Sequence, residues 1–244
     1  MDAATLRDDM VAGLEHESKA VIDSERVSAA MRTVPRHEFV DETAAYADRS
    51  LDHAGTRVLA PSTVARLLEA LAPEPGDRVL VVGAGVGYTA AVCAEIAGES
   101  NVNAVDIARR LVLDARRNLG RAGYGGVYVD RRDGAQGLAT YAPFDRILVE
   151  ASAVRPPPAL LDQLAPGGRL VLPLGAHDQA LAALEDGRVV ERFGPTSFAP
   201  LLVAGEQTDA VERNRTHRED RERAERVAQR RHGWEHDWID WEQG

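Results

Sequence analysis

From Arg78 onward the chain alternates between two kinds of segment. Apolar strand-like runs ("RVLVVG", "NVNAVD", "VYVDRRDG", "FDRILVEAS", "RLVLPLG") are separated by helix-like ones ("YTAAVCAEIAG", "ARRLVLDARRNLGRAG", "PPALLDQLAPGG"). Parallel strands need long crossovers, usually helices, so this alternation predicts an α/β fold with a doubly wound, mostly parallel sheet and helices on both faces. The late runs "QALAALEDGRVVERFG" and "SFAPLLVAG" read as strands that pair partly antiparallel. Ahead of the alternation, residues 1–34 carry apolar positions at helical spacing and residues 35–61 read as irregular. A short helix follows over 62–71, with Ser62 or Thr63 as its cap.

The first crossover is the most informative. In "VLVVGAGVGYTAA" a branched apolar run breaks into Gly83-x-Gly85-x-Gly87 and resumes as a helix. Glycine there lets a strand turn sharply and lets a ligand lie against the backbone. The dinucleotide fingerprint wants its third glycine one position later, and no Walker Lys-Ser pair follows, so a ligand without a pyrophosphate suits the loop. The next strand ends at Asp106, where a carboxylate can accept from ribose hydroxyls, and the third ends at Asp133-Gly134, within reach of an adenine amino group. Glycines, an acid and an acid at three successive strand ends describe an adenosine site. Taken singly, Asp106 reads equally well as a helix N-cap and Asp133 as a turn residue.

Bulk properties narrow the rest. The 244 residues are 44% hydrophobic and carry a net charge of −10, which speaks against general affinity for nucleic acid. No apolar run spans a bilayer and "MDAATLRDDM" lacks the layout of a signal peptide, so a soluble cytoplasmic protein without membrane association is expected. The single cysteine, Cys93, reads as core rather than nucleophile, and His37, His53 and His177 fall in loops without metal-ligand spacing, so no metal is expected. After Gly205 the composition turns to alternating acids and arginines. The chain is therefore read as one domain over 1–205, with a helical and acceptor-loop part over 1–75, and a charged C-terminal helical extension over 206–244. Trp234, Trp238 and Trp241 share a face if that extension is helical; they suit docking onto this chain or onto a second copy as a homodimer.

The segment from about Val34 to Ala204 resembles the protein-L-isoaspartate O-methyltransferases, within the S-adenosylmethionine-dependent methyltransferase fold. "VPRHEFV", "AYADRSL", "VLVVGAGVGYTAA", "DGAQGLATYAPFDRILVEASA", "PPALLDQLAPGGRLVLPLG" and "FAPLL" carry the resemblance. It implies a Rossmann-like methyltransferase sheet, S-adenosyl-L-methionine as cofactor, and a protein or peptide partner bearing isoaspartate, whose carboxylate is methylated for repair. It implies that Gly83, Gly85, Gly87, Tyr88, Asp106 and Ile107 meet the cofactor's methionine and ribose. Asp133 and Gly134 would lie by adenine, and Pro61 and the segment Ala199, Pro200, Leu201 would line the acceptor groove.

The sequence departs from that family twice. Val81 stands where the family usually has an acid two positions before the first glycine, so the contact is weakened or supplied by another group. In "AGTRVLAPS", Arg57 and Leu59 stand at the family's acceptor-loop threonine and serine. Leu59 cannot offer the serine's hydroxyl. If residues 56–60 run extended, Arg57 and Leu59 face the same side, and the Arg57 guanidinium could grip a carboxylate in its place; a solvent-facing arginine is the alternative. Two other functions stay open: a carboxyl methyltransferase with a different acceptor, suggested by Arg57 and Leu59, and a non-catalytic adaptor that binds S-adenosylmethionine and recruits a partner through the charged Trp-bearing tail, permitted by that tail and the lost serine.

Overall fold

The computed structural model describes residues 2–40 and 45–203. The expectations for 206–244, including the Trp face and the homodimer, lie outside the described residues. Seven strands form one sheet in the order β5 (Tyr128–Arg131), β4 (Val102–Asp106), β3 (Val79–Val82), β6 (Phe144–Val149), β7 (Leu164–Leu174), β8 (Ala180–Glu185), β9 (Arg188–Pro195). Pairing is parallel from β5 to β7 and antiparallel from β7 to β9. The sheet is thus mostly parallel with an antiparallel late edge.

The side-chain alternation of each strand sorts the core into two layers. Val79, Val81, Val102, Ala104, Leu148, Val171 and Ala183 face one way; Leu80, Val82, Val105, Ile147, Val149, Leu170, Leu172 and Ala182 face the other. Both faces are covered, which is why the central strands read as unbroken apolar runs. The covers are unequal. The first face carries buried side chains of α1 (Ala3–Glu15), α2 (Glu25–Thr33), α3 (Pro61–Leu71), α4 (Tyr88–Ala97) and α5 (Arg109–Ala122). The second is closed by Leu138 and by Leu160 of the short α6 (Pro158–Leu161).

Several local expectations are corrected. Residues 1–34 form two helices, because "HESKAVID" between them takes a bend, a turn and non-helical backbone, with Ala20 at positive φ. The helix at 62–71 begins one residue earlier, at Pro61, and neither Ser62 nor Thr63 caps it: its N-cap is Ala60. The cap is remote, for Asp48 Oδ1 accepts from the Ser62 N–H at 2.9 Å. The irregular stretch contains a hairpin, β1 (Leu51–His53) and β2 (Thr56–Val58), so His53 lies in a strand. Its two turn residues, Ala54 and Gly55, both have positive φ (50° and 82°), the backbone of a type I′ hairpin turn. "LAPGG" belongs to β7, not to a helix, because α6 stops at Leu161. "SFAPLL" forms no strand; it makes an isolated parallel bridge, Ser152 to Pro200.

Among the described residues no helix is long and apolar enough to cross a membrane.

Candidate active site

The chain enters the sheet at β3, adds β4 and β5 on one side, then crosses back to lay β6 on the other. The connections therefore diverge between β3 and β6, and a crevice opens beyond their carboxyl ends. The cleft at that point is lined by Arg36, Thr56, Arg57, Val58, Leu59, Val64, Ala84, Gly85, Val86, Tyr88, Thr89 and Glu150. The glycine loop is its floor and the end of the β1–β2 hairpin is one wall.

The three glycines have different reasons to be there. Gly87 caps α4 with φ near 95°, and a Cβ on it would come within 3.2 Å of Leu119 Cγ and 3.3 Å of the Ala115 carbonyl. It serves the close approach of α4 and α5. Gly83 faces Glu150, whose Cβ would lie 3.4 Å from its own. At Gly85 a Cβ would meet nothing nearer than the Gly83 oxygen at 3.9 Å. Its bare side is turned to open space, so Gly85 is the position that leaves room for a ligand.

Asp106 is buried, at 7% exposure. Its Oδ2 accepts from the Gly85 N–H at 3.0 Å and its Oδ1 from the Ala108 N–H at 2.9 Å. The expected acid at the second strand end thus also braces the glycine loop against the start of α5. Burial pushes its carboxyl above the ordinary range, and the N–H groups of Ala108, Gly85 and Ile107 pull it back. Ile107 is half-buried beside it. Asn118 of α5 donates to the Val86 carbonyl at 3.0 Å, a second brace.

Asp133 caps the turn at 134–136 by accepting from the Ala135 N–H at 2.9 Å. Gly134 packs against β3 so tightly that a Cβ would overlap Val82 Cγ1. The turn is held from below by Gln163, which accepts from the Leu138 N–H at 2.7 Å and donates to the Gln136 carbonyl at 2.9 Å. Leu201 Cδ1 would be 3.5 Å from the same Gly134 Cβ, so the "FAPLL" segment reaches this corner. Ser152, just past β6, anchors that segment: its N–H donates to the Ala199 carbonyl and its carbonyl accepts from the Leu201 N–H, both at 2.8 Å.

Two residues of the wall and floor are not singled out by the sequence. Arg36 is 1% exposed. Its Nε donates to the Ala45 carbonyl at 2.8 Å and its Nη2 to the Leu59 carbonyl at 2.7 Å, so it fixes the backbone of the acceptor loop. Its guanidinium lies 4.5 Å from the centre of the Tyr88 ring, a cation–π contact. Burial drives the Tyr88 hydroxyl up to about 12, so it stays protonated. Glu150 follows β6 directly. Its N–H donates to the Val82 carbonyl at 2.8 Å, which seats it beside Gly83 at the divergence point. Its Oε1 is shielded from solvent and has no hydrogen-bond partner. Burial raises its carboxyl to about 7; the Thr89 side chain lowers it, Asp106 raises it further and Arg36 lowers it. An acid closing the apolar run "RILVE" at the sheet's carboxyl edge is the same signal that marks Asp106, and it is present in the sequence.

Arg57 is exposed and makes no hydrogen bond or ion pair among the described residues, while Leu59 is half-buried against the core. Both line the one cleft, and so do Thr56 and Val58, so the whole run 56–59 contributes to it rather than one side of a strand; the strand itself ends at Val58. Pro61 is buried at the first position of α3, behind that wall. Cys93 is buried in α4 and its thiol is pushed up by burial, so it is core.

Residues 7–203 match the family model described as protein-L-isoaspartate(D-aspartate) O-methyltransferase. The chain belongs to that family. The protein-L-isoaspartate O-methyltransferase of Aeropyrum pernix is 46% identical over 193 residues, covering 75% of this chain and 74% of the relative. That of Methanopyrus kandleri is 44% identical over 197 residues, covering 76% and 87%. A solved protein-L-isoaspartate O-methyltransferase aligns with TM-score 0.70 at 28% identity, over 80% of this chain and 65% of its own. A Plasmodium falciparum protein provisionally assigned the same activity, and solved in complex with S-adenosyl-L-homocysteine, shares the fold at TM-score 0.70 and 24% identity, over 80% and 98%.

Proposed function

We propose that this protein transfers a methyl group from S-adenosylmethionine to the carboxylate of L-isoaspartyl residues in damaged proteins. The observation that carries this reading is the cleft at the divergence of β3 and β6, floored by the open side of Gly85 and walled by residues 56–59 of the acceptor loop. The residues fit such a donor. Gly85 leaves a bare cradle, Asp106 offers remaining lone pairs toward ribose hydroxyls, with Ile107 beside it, and Asp133 and Gly134 form the corner suited to adenine.

S-adenosylmethionine supplies an electrophilic methyl on a sulfonium that is its own leaving group. The acceptor carboxyl is ionised near neutral pH, since such groups titrate near 4, so no residue need act as general base. What remains for the chain is alignment and exclusion of water. Val58, Leu59, Val64 and Val86 provide an apolar lining for that purpose. Arg57 reaches the same cleft with no partner of its own among the described residues, and its planar fork is suited to hold the acceptor carboxylate where Leu59 brings no hydroxyl. Pro61 starts the helix behind the acceptor wall, and the bridge at Ala199, Pro200 and Leu201 closes the Gly134 corner; none of the four is among the residues that line the cleft itself.

Incubation with labelled S-adenosylmethionine and paired peptides, identical except for isoaspartate or aspartate, tests the function. Label on the isoaspartyl peptide alone is expected. Label only on other carboxylates would redirect the reading to a different acceptor, and donor binding without any transfer would leave an adaptor. For Arg57→Ala we expect the acceptor KM to rise about 10- to 100-fold, the loss of a charge-assisted hydrogen bond of about 1.5–3 kcal/mol, with donor affinity unchanged. Equal KM in variant and parent would remove Arg57 from the acceptor site.

A further inference from the structure

Among the described residues one buried carboxylate oxygen is without a partner, Glu150 Oε1, and it sits at the site rather than in the core. We propose that Glu150 is the group that receives the α-ammonium of the methyl donor, taking over the acidic contact that Val81 leaves vacant. This rests on the methyl-donor reading above.

Three observations support it. First, register places Glu150 one residue past the pair Val82 and Val149, hence beside Gly83 at the loop where the family's acid would act. Second, Val81 is turned into the core, at 1% exposure, and can contribute nothing polar. Third, the chemistry of the three candidate ligands sorts them. An acceptor carboxylate would be repelled by Glu150 or forced to share its proton, which would weaken the nucleophile. A sulfonium loses its charge as the methyl departs, so a carboxylate against it would stabilise the starting state and slow the transfer. The ammonium keeps its charge throughout, and binding it costs nothing in the transition state. It is also common to S-adenosylmethionine and S-adenosylhomocysteine.

Charged and titratable groups face Glu150 from each packed element. Asp106 lies at the end of β4, Arg36 on the turn before the acceptor loop, and Thr89, Cys93 and Tyr88 on α4; Arg57 stands across the cleft. In the free protein the carboxyl titrates at about 7. A bound ammonium favours the ionised form, so binding releases a proton below that pH. On the acid side, affinity therefore weakens as pH falls through about 7.

Calorimetric titration of the full chain and Glu150→Gln with S-adenosylhomocysteine, S-adenosylmethionine and 5′-methylthioadenosine, between about pH 5.5 and 8.5, tests this. The thioadenosine lacks the amino-acid head, so it reports on the folded adenosine site alone. Expected at pH 8 is a loss of about 10- to 100-fold for both full ligands in the variant, converging with the parent toward pH 5.5, and no change for the thioadenosine. Buffers of different ionisation heat should show proton release for the parent only. A loss confined to S-adenosylmethionine would place Glu150 at the sulfonium and overturn the proposal. So would equal affinities and equal pH dependence in variant and parent. Absence of binding by the parent at every pH would overturn the methyl-donor reading itself, and this inference with it.

Discussion

At the scale of single residues, identical amino acids in this site answer to different constraints. Gly85 is bare toward the cleft, Gly87 is bare toward α5, and Gly134 is bare toward β3. Only the surroundings separate a ligand cradle from a packing contact, and a sequence shows neither. Gly134→Ala would drive a methyl into Val82 Cγ1, part of the sheet that cannot withdraw. We expect it to lower unfolding free energy by about 1–3 kcal/mol in denaturant titration. Gly13 is the counterpart: it lies in α1, and a methyl added there would have nothing within 4 Å. Gly13→Ala should raise stability by about 0.5–1 kcal/mol through helix propensity. The same sign for both variants would refute this division. Acids at strand ends are legible for Asp106 and Asp133 because they follow the loop in order. Glu150 obeys the same rule, but no glycine or turn signal beside it sets it apart from an ordinary strand terminus. Arg36 is not legible, since nothing in "VPRHEF" says that its charge is spent on two backbone carbonyls and a Tyr88 ring.

At the scale of elements, the strands and most helices are legible because their periodicity is set locally, whereas caps and breaks are not. The start of α3 illustrates why. Its backbone is preorganised by Pro61 at the first turn, but its capping acceptor comes from Asp48, fourteen positions upstream of Ser62, which also pairs with Lys19 at 2.7 Å. Tertiary contact supplies what the hydroxyls of Ser62 and Thr63 offer on paper. The same helix carries Val64 into the cleft, so its first turn positions the acceptor wall. Asp48→Ala should cost about 1 kcal/mol, a melting temperature lower by about 2–4 °C. Asp48→Asn keeps an accepting oxygen and should lose less. The sign with pH follows from the shift. Burial acts to raise the Asp48 carboxyl, but Lys19 and Ser62 outweigh it and hold the group below its ordinary value. Its stabilisation is present above the unfolded-state value near 4 and fades as pH falls through the lower folded-state value. Parent and Asp48→Ala should therefore converge in acid, measured by thermal melts from pH 6 downward; a gap that widens there would contradict the cap.

For the whole molecule, the net charge of −10 with a single lysine, Lys19, sets two electrostatic effects against each other. Surface ion pairs such as Arg32 with Glu15 at 2.7 Å and Arg169 with Glu191 at 2.8 Å favour the folded state, each by about 0–1 kcal/mol. Repulsion among the excess acids opposes it. Salt acts on both, but by distance. Between about 0.01 M and 0.15 M the screening length falls from about 30 Å to about 8 Å. Pairs in contact lie well inside either length and keep most of their attraction. Acids more than about 10 Å apart lose most of their repulsion. The balance therefore tips toward the fold, and the melting temperature should rise by several degrees over that range of sodium chloride at about pH 7.5. Screening is nearly complete by a few tenths molar, whereas exclusion of salt from apolar surface continues to strengthen burial at higher concentration and does so far more for sulfate than for chloride. A rise that begins only above about 1 M, or that appears only with sulfate, would assign the effect to exclusion. A melting temperature that falls between about 0.01 M and 0.15 M would mean that the contact pairs outweigh the acid excess.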